Sequence, residues 1–318
     1  MEFQKDLIKV NPAGEVLSVT RASFLTMIER FIASQDVSRS SRATYFRQLR
    51  QFTSWLTETG RIEAINTLQR QDILAYRQHL LDIGKSSYTV DGYLTSVRKF
   101  YAWLEAEKVY PNIAKAIKGT KKAKGFRKDP LTPQQVREAL ASISRGTLEG
   151  FRDYALFNLL VRTGLRTIEL ARAQVRDLRQ QGGEAVLWVQ GKGRDSKDDF
   201  VILIDEALGP LREYLSRRGN LVDTEPLFAS MSDRNNGEGL TTKSIRRIVK
   251  RILRAVNLND KRLSAHSLRH TAISLSIKGG ASLEQAQAMA RHTDPKTTMT
   301  YFHNVARIES GAERFIHF

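Results

Sequence analysis

The segment SAHSLRHTA, residues 264–272, sets His266 and His270 four residues apart with Arg269 between them. On a helix that spacing puts both imidazoles on one face, as in a zinc-binding helix. A zinc-protease helix carries a glutamate directly after its first histidine. Here that position is Ser267, and Arg269 would set positive charge against a metal. Phosphate chemistry suits the segment better, because a guanidinium grips phosphate oxygens with a rigid fork and an imidazole donates or shuttles protons. Four further segments place reactive groups where turns and helix ends would present them. Arg166 follows a glycine in TGLRTIEL, and Lys192 lies between glycines in VQGKGRDSK. His292 sits in ARHTDPKTT, and Tyr301 follows nine residues later in TMTYFHN.

Each residue alone has a plain reading: an ion pair of Arg166 with Glu169, a hairpin-tip lysine, a helix-end histidine, a half-buried tyrosine. Together they suit transfer of a phosphodiester to a hydroxyl. Arg166 and Arg269 would bind the non-bridging oxygens, and Tyr301 would attack to give a covalent intermediate that conserves the phosphodiester energy without a cofactor. Lys192 on a mobile hairpin would protonate the leaving 5′-oxygen. His266 and His292 would donate hydrogen bonds or carry protons. A tyrosine titrates near ~10, so a cationic pocket is expected to help ionise it. His270 and His303 fall outside this set and read as supporting or structural.

The elements that must position these groups are mostly helices. Phe24, Met27, Ile28 and Phe31 recur at helical spacing. A second helix, with Ser40 or Ser41 as its cap, presents Tyr45, Leu49, Phe52, Trp55 and Leu56. QRQDILAYRQHLLDIG, ended by Gly84, and SSYTVDGYLTSVRKFYAWLEAEK complete a four-helix bundle, with Tyr93, Phe100, Tyr101 and Trp103 in its core. KGTKKAKGFRK, residues 118–128, has six Lys or Arg in eleven positions and reads as a linker. Beyond it Thr132, Pro133 and Gln135 form a helix start, and EGFRDYALFNLLVR is a strongly apolar helix ended by Thr163–Gly164. Two β-rich runs, 185–190 and 200–204, flank a polar loop, and helices are expected over 206–217, 241–256, 266–278, 282–290 and 295–305. The fold class is mainly α with a small β-sheet, in two domains.

The 318 residues carry a formal net charge of +17 and a pI near 10.1. Residues 1–120 contribute +5 and residues 121–318 contribute +12, so both halves favour a polyanion, of which nucleic acid is the commonest. Candidates for backbone contact are Arg42, Arg47, Lys85, Lys121, Lys122, Lys124, Lys243 and Arg246. The chain has no cysteine, which rules out disulfides and thiolate chemistry. No apolar run approaches the ~20 residues that span a bilayer, and MEFQKDLIKVNPAGEV lacks a signal-peptide core. A cytoplasmic protein without metal or cofactor is expected.

Arg166 within GLRTIEL, Lys192 within GKG, His266-Ser-Leu-Arg269, His292 and Tyr301 within TTMTYFH occur in the order and local context of the tyrosine recombinases. The chain resembles that family, of the Xer and simple-integrase type, strongly over 130–303 and more loosely over 23–107. One departure is Arg291 ahead of His292, where relatives usually have glycine; it is expected to alter the local turn more than the chemistry. The resemblance implies an N-terminal arm (1–20), a helical core-binding domain (21–117), a basic linker (118–129), a catalytic domain (130–304) and a C-terminal tail (305–318), whose residues 312–318 are expected to dock in trans, the alternative being that they fold back onto their own core. It also implies a site-specific DNA recombinase or integrase acting through 3′-phosphotyrosine, with double-stranded DNA as partner and a homotetramer on two sites. The rivals are a type IB topoisomerase and a non-catalytic DNA-binding regulator; the intact set speaks against the regulator, and the chain's size against the topoisomerase.

Overall fold

The structure is a computed structural model that describes residues 9–10, 16–18, 21–63, 65–121, 128–191 and 193–317. Two compact units divide the chain, Met1–Lys124 and Gly125–Phe318.

In the first unit, strands β1 (Lys9–Val10) and β2 (Val16–Ser18) pair antiparallel. Four helices follow: α1 (Arg21–Ser34), α2 (Arg39–Glu58), α3 (Arg70–Asp82) and α4 (Ser87–Ala106). The cap of α2 is Ser38, whose hydroxyl accepts from the Ser41 N–H, two or three residues earlier than the expected Ser40 or Ser41. All three serines can cap, and the backbone bend fixes which one does. Phe24, Phe31, Phe52, Phe100 and Tyr101 interlock in the core, mostly edge to face, the arrangement that ring quadrupoles favour. Tyr93 and Trp103 pack half-buried against it.

The described ends of the basic run are each fastened to their own unit. Arg98 donates to the Ile117 carbonyl, Arg77 to that of Lys118, and the Thr120 hydroxyl to that of Ser87. In the second unit Lys128 donates to the Lys261 carbonyl and Asp129 pairs with Arg262.

That unit is mainly helical. Helix α5 (Pro133–Ala141) starts in a capping box between Thr132 and Gln135. Helix α6 (Leu148–Thr163) is buried along nearly its whole length and packs against later helices. After α7 (Thr167–Arg172) comes an antiparallel sheet, β3 (Leu178–Gln181), β4 (Glu184–Val189) and β5 (Asp199–Ile202), in sequential order. The apolar runs give β4 and β5. β3 reads LRQQ and becomes a strand because β4 offers it a ladder, with Leu178 opposite Leu187. Helices α8 (Asp205–Arg218), α9 (Thr242–Ala255), α10 (Ala265–Lys278), α11 (Leu283–Ala290) and α12 (Pro295–Glu309) complete the unit.

Candidate active site

Helix α6 ends at Gly164, whose φ of 63° is left-handed, a conformation that glycine adopts without the cost paid by other residues. A β-carbon there would lie 3.4 Å from the Ala272 Cβ on α10. This turn throws Arg166 to the start of α7. Its guanidinium donates to Glu169 Oε1 at 2.7 Å, and its backbone N–H to Glu169 Oε2 at 2.7 Å. The expected Arg166–Glu169 pair is therefore present, with the carboxylate fully buried. Burial works to raise the Glu169 carboxyl, but Arg291 and the two Arg166 donors hold it below its ordinary range.

Arg269 lies on α10, buried to 2% exposure. It donates to the Gly164 carbonyl at 2.6 Å and to the Ala290 carbonyl. Both acceptors are carbonyls of helix C-terminal turns, which carry partial negative charge. Burial, with Arg166 and Arg291 nearby, brings its guanidinium down to about 9, so it is still cationic at neutral pH.

The nucleophile candidate Tyr301 lies on α12 within a small apolar cluster of Ile273, Ile277, Ala286, Ala290 and Val305. It is 3% exposed, and its hydroxyl lies 2.7 Å from His270 Nδ1. Its ring also stacks on His292 at 6.0 Å. His270, read as supporting or structural, contacts the hydroxyl of the candidate nucleophile. One expectation is corrected: Arg269 and Arg166 do favour the anion, but burial outweighs them and pushes Tyr301 up to about 12, so its surroundings do not ionise it. Burial brings His270 down to about 3, helped by His266, Arg269 and His292, so the ring is neutral at neutral pH.

His266 sits one turn earlier on α10, with its ring 4.6 Å from that of His270, edge to face. Desolvation, then Arg269 and Arg166, lower its pKa. His292 follows the end of α11, and its Nδ1 is 2.8 Å from the Thr298 hydroxyl. Burial and then Arg269 bring it down to about 4. His303 is exposed on α12. Lys192 lies outside the described residues, on the loop between β4 and β5 where Gly193 has φ of 77°.

Arg291 was expected to alter the local turn more than the chemistry. It does adopt a left-handed conformation, φ 53° and ψ 49°, at the end of α11. Its side chain, however, is 5% exposed and donates to Glu169 Oε2 at 2.8 Å. The structure thus gathers Arg166, Arg269, His266, His270, His292 and Tyr301, and adds Glu169 and Arg291. The signal for His270 was its i+4 spacing from His266; nothing in the local sequence could pair Arg291 with a residue 122 positions away. Of the backbone-contact candidates, Arg42, Arg47, Lys85, Lys121, Lys243 and Arg246 are exposed, and Lys122 and Lys124 lie outside the described residues.

Residues 113–307 match the phage integrase family, and residues 28–108 match the N-terminal SAM-like domain of phage integrases. The chain belongs to the phage integrase family, the tyrosine recombinases. It is 29% identical over 273 residues to a tyrosine recombinase of Synechococcus elongatus, covering 83% of this chain and 84% of that one. Its fold is similar to XerH site-specific recombinase bound to palindromic difH substrate in a post-cleavage complex: TM-score 0.72, 20% identity, 94% of this chain and 85% of that one. It is also similar to lambda integrase in a tetramer bound to a Holliday junction: TM-score 0.64, 19% identity, 91% of this chain and 79% of that one.

Proposed function

We propose that this chain is a site-specific DNA recombinase that cleaves and rejoins strands through a 3′-phosphotyrosine intermediate. The observation that carries the reading is the convergence of two arginines and three histidines on one buried tyrosine. In the forward step Tyr301 Oη bonds to phosphorus as the bond from phosphorus to the 5′-oxygen breaks, leaving a free 5′-hydroxyl. Arg166 and Arg269 take up the charge that grows on the non-bridging oxygens. The tyrosine proton passes to His270 Nδ1, which already touches the hydroxyl. Values of about 12 for Tyr301 and about 3 for His270 keep the proton on the tyrosine at rest. Transfer becomes favourable as the bond to phosphorus forms and the oxygen loses its basicity. The leaving oxygen takes its proton from Lys192, and rejoining is the same path reversed, with a 5′-hydroxyl attacking the phosphotyrosine.

We further infer a homotetramer acting on two DNA sites inside the cell, with the arm, core-binding domain, basic linker, catalytic domain and tail at the bounds given above. Among the described residues, no helix is long and apolar enough to cross a membrane. The test is trapping: DNA from the source genome, cleaved by the protein and sequenced at the covalent ends, defines the site, and a nicked version of it accumulates the adduct. Wild type is expected to carry the adduct on the Tyr301 peptide, and Tyr301→Phe to lose it while binding the site with unchanged affinity. An adduct that survives Tyr301→Phe removes Tyr301 from the role.

A further inference from the structure

We propose that Arg291 is a positioning residue of this site, supplying the positive charge that Glu169 would otherwise take from the phosphate-binding arginines. The inference rests on the reading of Arg166 and Arg269 as phosphate ligands. Three consecutive carbonyls at the end of α11 each accept from a different arginine. Arg291 itself donates to Met289 O at 2.6 Å, Arg269 to Ala290 O, and Arg166 to Arg291 O at 3.2 Å. These carbonyls lie at the left-handed turn made by Arg291. It also places His292, whose N–H returns to the Gln287 carbonyl at 3.3 Å and whose carbonyl accepts from the Gln287 amide at 3.0 Å. One residue thus fixes the seat of both arginines and the entry of His292.

Charge explains why that residue is an arginine. A turn of this handedness is most readily made by glycine, so a bulky cation there is held for its side chain. Glu169 has two carboxylate oxygens; Arg166 occupies one through its guanidinium, and Arg291 shares the other with the Arg166 N–H. Three guanidinium groups against one carboxylate leave a net charge of two facing a substrate that gains negative charge as it reacts. Without Arg291 the net is one, and Glu169 draws Arg166 alone. The Arg291 Nε has no hydrogen-bond partner among the described residues although it is buried.

The experiment compares wild type with Arg291→Gly, Arg291→Met and Arg291→Lys on the nicked site DNA that yields the Tyr301 adduct. Each is assayed in single turnover with either a phosphodiester or an uncharged methylphosphonate at the scissile position. Gly and Met are expected to slow adduct formation on the phosphodiester by about tenfold or more, below the loss for a donor that touches the oxyanion. Site affinity should stay near wild type, while the melting temperature falls because the buried Glu169 loses a partner, least for Gly, which suits the turn, so rates are compared well below it. Lys should recover most of the rate. The deficit should shrink on the methylphosphonate, where less charge needs compensating. Wild-type rates in Gly and Met, or an equal deficit on both linkages, overturn the assignment, the second outcome marking a brace without an electrostatic part. A wild type that forms no adduct overturns the recombinase reading and this assignment with it, whereas intact cleavage by both wild type and variants overturns this assignment alone.

Discussion

At the scale of single residues, desolvation keeps the proposed nucleophile, Tyr301, protonated at neutral pH. Tyr301 feels two nearby arginines that favour its anion, yet burial wins and carries it to about 12. Without a base, attack by the phenolate would quicken tenfold for each pH unit up to that value. His270, acting as the proposed base, would remove the dependence, because its pKa of about 3 leaves it neutral throughout the neutral range. Wild-type cleavage of a nicked site is therefore expected to be nearly flat from pH 6 to 8. His270→Asn keeps a hydrogen-bonding group beside the hydroxyl but cannot take its proton. It should cleave about 10²- to 10⁴-fold more slowly at pH 7, the usual worth of a general base, and should regain about tenfold per unit as pH rises. A variant whose pH profile parallels wild type would confine His270 to holding the ring. His270 was visible in the sequence only as a neighbour of His266, because helical spacing says which side chains share a face and not what lies opposite them.

Elements matter here through their ends. Arg166 stands at the start of α7, while Arg269 reaches the ends of α6 and α11, so helix termini locate the guanidinium groups. Gly164 is the clearest test. Its φ of 63° and the 3.4 Å clearance to Ala272 leave little room for a side chain. Gly164→Ala is expected to cost about 1–2 kcal/mol for the left-handed conformation, or about 2–4 °C in melting temperature per kcal/mol for a unit of this size. Since the Gly164 carbonyl seats Arg269, adduct formation should slow as well. Calorimetry showing an unchanged melting temperature would mean that the turn relaxes freely. The Thr163–Gly164 stop was legible in the sequence because glycine after an apolar helix is a strong local signal. Strand β3 was not, since LRQQ has no strand pattern and is a strand only because β4 lies beside it.

Over the whole molecule, the tail carries the most exposed large apolar side chain among the described residues, Phe315. Gly311 is followed by a short 3-10 turn, Ala312–Phe315, braced by an Arg307–Glu313 ion pair. Phe315 and Ile316 remain 75% and 61% exposed, so these two side chains do not fold back onto their own core. Burying them on a neighbouring subunit would gain about 1.5–3 kcal/mol each before ordering costs. Deletion of 312–318 is expected to leave a folded monomer that binds one DNA site with unchanged affinity but loses cooperative assembly on paired sites, read by mobility shift and sedimentation. Unfolding of the truncated protein, or recombination equal to the full chain, would exclude docking in trans.

The sequence by itself determined the helical bundle, most helix bounds, the basic character of both halves and the six candidate residues, because these depend on periodicity, caps and residue type. Tertiary structure alone decided that the Tyr301 hydroxyl meets His270, that burial outweighs the arginines in setting that tyrosine's pKa, and that Arg291 shares Glu169 with Arg166. Each of these depends on distance and dielectric between groups tens to more than a hundred residues apart. Local sequence carries no record of either until α6, α10, α11 and α12 pack together.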